Sequence, residues 1–191
     1  MLFRSTLIAL TGYAESGKST VANYLVKEHG FTRVSFAAPL KRMLRTLDPI
    51  LGGPLNVRVS EVLDHYKDET AVKASHHGPE YRRLLQVLGT DCVRAEQEDF
   101  WILAAERQMT DPNANYVFDD CRFPNEAEFI KERSPEGLWN ISRPGFEAVN
   151  GHISEQHAGN MGEYQNLYNF TTPENLFENV DAALETLVDA P

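Results

Sequence analysis

An α/β fold, a three-layer α/β/α sandwich around a mostly parallel five-stranded sheet, is predicted by three observations. Short apolar segments of strand type alternate along the chain with segments whose apolar residues recur at helical spacing, the pattern produced when helices cover both faces of a parallel sheet. The first apolar segment, Thr6 to Thr11, runs straight into Gly12-Tyr13-Ala14-Glu15-Ser16-Gly17-Lys18-Ser19, which fits G-x-x-x-x-G-K-[ST] at every fixed position. The third is a well-marked closing helix. Thr172-Pro173-Glu174 starts it, and Leu176, Phe177, Val180, Leu184, Leu187 and Val188 form its buried stripe.

The elements follow in order. Val21, Ala22, Leu25 and Val26 place a first helix behind the glycine loop, and Gly30 stands where a C-cap glycine belongs. Phe31 to Phe36 reads as a second strand. Ala37 to Arg45 then reads as a helix with Pro39 near its first turn, carrying Lys41, Arg42 and Arg45. Those cations follow the C-terminal end of a strand, the edge where open α/β sheets hold ligands; a solvated helix face is the plainer reading.

Residues 49 to 80 change character. Pro49, Gly52-Gly53-Pro54 and Gly78-Pro79 punctuate them, and only Val59, Val62, Leu63 and Tyr66 are periodic. They read as an excursion from the sheet with one short helix. Tyr81 to Asp91 is a further helix with Tyr81, Leu84, Leu85 and Leu88 on one face, Arg82, Arg83 and Gln86 on the other, and Gly89 placed to end it. Another helix, Glu98 to Met109, turns Trp101, Ile102, Ala105 and Met109 inward. Asn115 to Asp120 is the third strand, Phe123 to Glu128 a helix start, Gly137 to Ser142 the fourth strand and Leu167 to Phe170 the fifth. The segment between strands four and five, 143 to 163, is glycine-containing and polar, the kind of loop that closes over a site. One domain, 1–191, accommodates all of this.

The loop motif is the strongest chemical signal. Between a strand and a helix, Gly12, Ala14, Glu15, Ser16, Gly17, Lys18, Ser19 and Thr20 form a backbone cradle for phosphates, with Lys18 reaching the β/γ-phosphates and the Ser19 hydroxyl offered to Mg²⁺. ATP and Mg²⁺ are the expected ligands. Such a loop also needs a carboxylate at a neighbouring strand end to orient the metal or its waters. Asp119 and Asp120 close the third strand, and Asp120 is preferred because Asp120-Cys121-Arg122 sets a guanidinium two residues on.

Composition narrows the partners. With 28 acidic residues against 18 basic, a formal net charge of −10 argues against a broad nucleic-acid surface. The two cysteines, Cys92 and Cys121, belong to no C-x-x-C pair and read as free thiols of a reducing compartment. No leader pattern or bilayer-length apolar run is seen, so a cytoplasmic protein with a small-molecule substrate, no nucleic acid and no membrane partner is expected. A guanine-specific switch would carry N-K-x-D, and that tetrapeptide does not occur.

Four separated blocks carry a family resemblance: Gly12 to Thr20; Arg82-Arg83-Leu84-Leu85-Gln86-Val87-Leu88-Gly89-Thr90-Asp91; Asp120-Cys121-Arg122; and Arg143-Pro144-Gly145 followed by His152-Ile153-Ser154-Glu155. Ala38-Pro39-Leu40-Lys41 is a weaker fifth. In these blocks the chain resembles the bacteriophage deoxynucleoside monophosphate kinases, a branch of the P-loop nucleoside monophosphate kinase superfamily. The resemblance implies a nucleoside-monophosphate-kinase-like core and transfer of the ATP γ-phosphoryl group to a deoxynucleoside 5′-monophosphate (dNMP). It also makes a homodimer an expectation and, if the chain is viral, places it in the host-cell cytoplasm. Residues 49 to 80 find no match.

Under that reading Lys18 holds the donor phosphates and Ser19 the metal. Asp120 orients the metal's water shell or hydrogen-bonds the acceptor sugar. Arg122, Arg143, Lys41 and Arg42 grip the acceptor phosphate and the transferring group. Arg83, Gln86 and Asp91 read base or sugar, with Asp91 alternatively capping the next helix. Glu155, after His152, positions a lid arginine or is a plain first-turn acid. The alternatives are a P-loop kinase of another small metabolite and a nucleotide-dependent switch or binding module.

Overall fold

A computed structural model of the chain describes residues 5–52, 56–145, 157, 161, 164–169 and 173–188. Five parallel strands form one sheet: β1 (Leu7–Thr11), β2 (Thr32–Val34), β3 (Tyr116–Phe118), β4 (Leu138–Ser142) and β5 (Gln165–Tyr168), in the order β2-β3-β1-β4-β5. β1 lies at the centre, with Ala9 opposite Phe118 of β3 on one side and Leu138 of β4 on the other. All five of its residues are buried, as befits a strand covered on both faces. The sheet expected from the sequence is the sheet found, with β2 and β3 trimmed at both ends and β5 beginning two residues earlier.

Alternation along the strands builds the layers. Ile8 and Leu10 join Val117, Trp139, Ile141 and Leu167 in a core with Val21, Ala22 and Leu25 of α1 (Lys18–His29). The closing helix, Pro173–Val188, contributes Leu176, Val180 and Ala183 to the same core. Leu184 and Leu187 pack at its margin, and Phe177 stacks on Tyr24 at 4.1 Å. On the other face, Phe118 meets Phe129 edge-on at 6.3 Å, where Ala127, Phe129 and Ile130 of the helix Pro124–Lys131 are buried. Gly30 caps α1 with φ 69°, in the left-handed conformation that a C-cap glycine supplies.

Two compact units divide the chain: Met1–Ser35 with Ala105–Pro191, which holds the sheet, and Phe36–Ala104. The second is helical: α2 (Ala38–Leu47), α3 (Val59–Tyr66), α4 (Glu69–Ala74), α5 (Gly78–Gln86) and most of α6 (Phe100–Glu106). The two helices described above are thus α7 (Pro124–Lys131) and α8 (Pro173–Val188). This unit has its own core of Leu44, Leu51, Val59, Val62, Val72 and Tyr81. Residues 49 to 80 therefore contribute two complete helices where one was expected. The second, α4, is capped by Asp68, whose carboxylate accepts from the Thr70 and Ala71 amides at 3.1 and 3.3 Å.

Gly89 does not end its helix. α5 runs on as a π-helical stretch, Val87–Arg94, and Gly89 lies inside it. A Cβ there would lie 2.7 Å from Leu40 Cδ2, and the Gly89 carbonyl accepts the Trp101 indole N–H at 3.0 Å. The glycine serves close helix packing and an inter-helix hydrogen bond, so the wider helical winding continues past it.

Candidate active site

The loop after β1 is shaped by backbone conformation. Gly12, Glu15 and Gly17 have φ of 123°, 63° and 114°, a sequence of left-handed turns that aims successive N–H groups inward. A Cβ at Gly12 would stand 2.4 Å from the Ile141 carbonyl oxygen, and one at Gly17 2.7 Å from Asn169 Nδ2. Asn169 also donates to the Ser16 carbonyl at 2.9 Å, so the end of β5 supports the loop from outside. Lys18 folds back over the cradle, its ammonium donating to the Gly12 and Tyr13 carbonyls at 2.7 and 2.5 Å.

Strand order brings β3 beside β1, so the residues after Phe118 lie next to the loop at the C-terminal edge of the sheet. There the two carboxylates diverge. Asp119 Oδ2 lies 3.5 Å from Ser19 Oγ and is ion-paired to Arg33 of β2. Asp120 Oδ2 accepts the Ser35 hydroxyl at 2.6 Å. Asp119, the neighbour of the Asp120 preferred from the sequence, thus brings a carboxylate oxygen beside the loop serine.

Arg122 occupies the turn into α7, and its backbone N–H donates to Glu126 Oε2 at 2.8 Å. The same oxygen accepts the Phe123 N–H at 3.1 Å, and Glu126 is buried, so the turn that carries Arg122 is fixed by its own helix. Arg143, just past β4, places Nη1 3.5 Å from the Glu15 carbonyl of the loop. The structure therefore gathers Lys18, Ser19, Asp119 and Arg143 around one cradle. Glu155 and His152 lie outside the described residues, as does most of the segment 143–163.

Lys41, Arg42, Arg83, Gln86 and Asp91 belong to the helical unit. Lys41 pairs with Glu69 at 2.8 Å, and Arg83 forms a two-pronged pair with Glu80 at 2.8 and 2.7 Å. Arg42 lines an apolar hollow of about 450 Å³ with Pro39, Met43, Thr46, Leu47 and Leu88. Gln86 ends α5. Asp91 is exposed within the π-helical stretch, well before α6 begins, so it does not cap that helix.

The loop's chemistry fits the phosphates of a nucleotide. Ser16 Oγ is buried without a hydrogen-bond partner among the described residues. α1 begins with no side-chain cap and no acid in its first turn, leaving its first amides and its dipole for an anion. The Ser19 hydroxyl and Asp119 carboxylate are hard oxygen donors, few in number, as suits a Mg²⁺ that keeps waters and phosphate oxygens in its shell.

The parallel sheet and this loop define a P-loop nucleotide-binding protein. The chain is similar over nearly its whole length to an Acanthamoeba polyphaga mimivirus protein described as "Putative deoxynucleotide monophosphate kinase", with 29% identity over 193 residues that cover 94% of this chain and 96% of that one. No family model matches the chain. Among solved structures it resembles a gluconokinase from Sinorhizobium meliloti 1021, with a TM-score of 0.48 and 12% identity over 98% of this chain and 95% of that one. It also resembles a shikimate kinase from Acinetobacter baumannii, with a TM-score of 0.45 and 11% identity over 100% and 98%.

Proposed function

We propose that the protein transfers the γ-phosphoryl group of ATP to a deoxynucleoside 5′-monophosphate, giving the diphosphate and ADP. The observation that carries this reading is the near full-length similarity to the mimivirus protein, joined to a loop already shaped for phosphate. The acceptor's own phosphate oxygen is the nucleophile and is largely dianionic near neutral pH, its second pKa being about 6. Little general-base help is needed. Bringing two polyanions together is the obstacle, so positioning and charge neutralisation carry the rate.

In this scheme the loop amides and Lys18 hold the donor phosphates. Ser19 would hold a Mg²⁺, with Asp119 or Asp120 orienting its waters, and the ion would supply charge neutralisation to the donor phosphates. Asp120 otherwise serves the acceptor sugar. Arg143 and Arg122 meet the charge on the transferring group and the acceptor phosphate. Arg42 and Lys41 assist with the phosphate, while Arg83, Gln86, Asp91 and Glu155 contribute to acceptor recognition.

An acceptor screen tests the proposal: labelled ATP is offered with a panel of deoxynucleoside monophosphates, ribonucleotides and small metabolites. Labelled deoxynucleoside diphosphate is the expected product. Label on a sugar or hydroxy acid instead, with none on any deoxynucleotide, would replace this reading with a metabolite kinase.

A further inference from the structure

Among the described residues Asp119 has two partners, and both meet the same oxygen. Oδ2 faces the Ser19 hydroxyl at 3.5 Å and takes the Arg33 guanidinium in an ion pair. The carboxylate is only 16% exposed, so without a cation its charge would be poorly solvated. Arg33 also donates through Nη1 to Asn23 Oδ1 at 3.0 Å. Asn23 stands one turn beyond Ser19 on α1. The guanidinium is thus held between a carboxylate beside Ser19 and a neutral amide further along the helix.

We propose that Arg33 is a positioning residue that neutralises Asp119 when no divalent cation is bound and gives way to the cation when it arrives. A cation on Ser19 Oγ would sit against the oxygen that Arg33 already occupies, and two positive groups there repel. Asn23 offers the displaced guanidinium a second acceptor, so the side chain moves without losing every partner. The inference rests on the reading that places Mg²⁺ beside Ser19, and the experiment separates the two.

ADP binding by the full chain is followed calorimetrically in EDTA, and the Mg²⁺ midpoint is then measured at fixed ADP by thermal shift. Arg33→Gln should move the two readouts in opposite senses. Without metal, ADP binds about 3-fold more weakly, because the bare Asp119 carboxylate faces the phosphates; the Mg²⁺ midpoint falls about 3-fold, because a competitor has gone. Arg33→Lys, which keeps a cation, should restore both towards wild type. A midpoint that is unchanged, or that rises while metal-free binding weakens, would overturn the inference and leave Arg33 a structural residue of the strand edge. If wild type and Asp119→Asn both show no Mg²⁺ dependence at all, the metal reading itself fails and this inference falls with it.

Discussion

Lys41 Nζ and Glu69 Oε2 lie 2.8 Å apart, and the other oxygen of the same carboxylate is 2.8 Å from Lys73 Nζ. This carboxylate ties α2 to α4 through Lys41. Burial pushes the Glu69 carboxyl upward, but the charges of Lys73 and Lys41 outweigh it and hold the group below its ordinary value of 4.5. A carboxyl depressed in the folded state stabilises the fold above its unfolded pKa, and that contribution fades as pH falls from about 4.5 through the folded value. Glu69→Gln should therefore cost about 1–2 kcal/mol at neutral pH, after allowance for the partial exposure of both lysines. Urea denaturation should show that loss at pH 7 and a much smaller difference at pH 3.

Lys18 bridges two loop carbonyls in the structure, which preorganises its ammonium at the cradle. Lys18→Ala should lower kcat by about 10²–10³-fold, as removal of one fixed charge-stabilising donor does elsewhere. The half-buried side chain is not part of either hydrophobic core, so the melting temperature without nucleotide should stay within a few degrees. Steady-state kinetics beside a thermal melt would check both.

How much could be read from residues alone depended on the physics involved. β1 was legible because a continuous apolar run has few uses other than a doubly covered strand. Gly30 was legible because a left-handed cap selects glycine. Gly89 misled because the residue that ends many helices also permits close helix approach, and only the position of Leu40 distinguishes these uses. α4 had a sign in Asp68, an N-cap residue ahead of Glu69, but six residues are too few for a periodic stripe. Asp119 and Asp120 follow a strand end, where alternation no longer says which way a side chain turns. Arg33 looked like any strand residue, and nothing local marked Asn169 as a support of the loop.

Gly12→Ala should remove nucleotide binding more thoroughly than any side-chain deletion in the loop. The new methyl would meet the Ile141 carbonyl oxygen at 2.4 Å, and a backbone at φ 123° is poorly tolerated by alanine. That carbonyl cannot yield, since Ile141 is fixed within β4. The loop must leave its path, and the cost should exceed about 2 kcal/mol. A calorimetric titration with ATP should show no measurable heat, while circular dichroism still reports a mixed α/β fold.

Arg143 offers the sharpest separation of rate from stability. It is exposed, and contacts of exposed charges add little to folding. Its place just past β4, beside the phosphate loop, suits a group whose main interaction forms when charge builds on the transferring phosphoryl group. Arg143→Ala should then lower kcat by about 10³-fold, the lower end of arginine effects on phosphoryl transfer, with ATP affinity changed less than about 3-fold. Arg143→Lys should recover only part of the rate, because an ammonium lacks the planar fork that contacts two oxygens at once. Equal losses in kcat/KM and kcat with unchanged nucleotide affinity would mark a transition-state contact. Weakened ATP binding with normal kcat would instead make Arg143 a plain ground-state clamp on the donor.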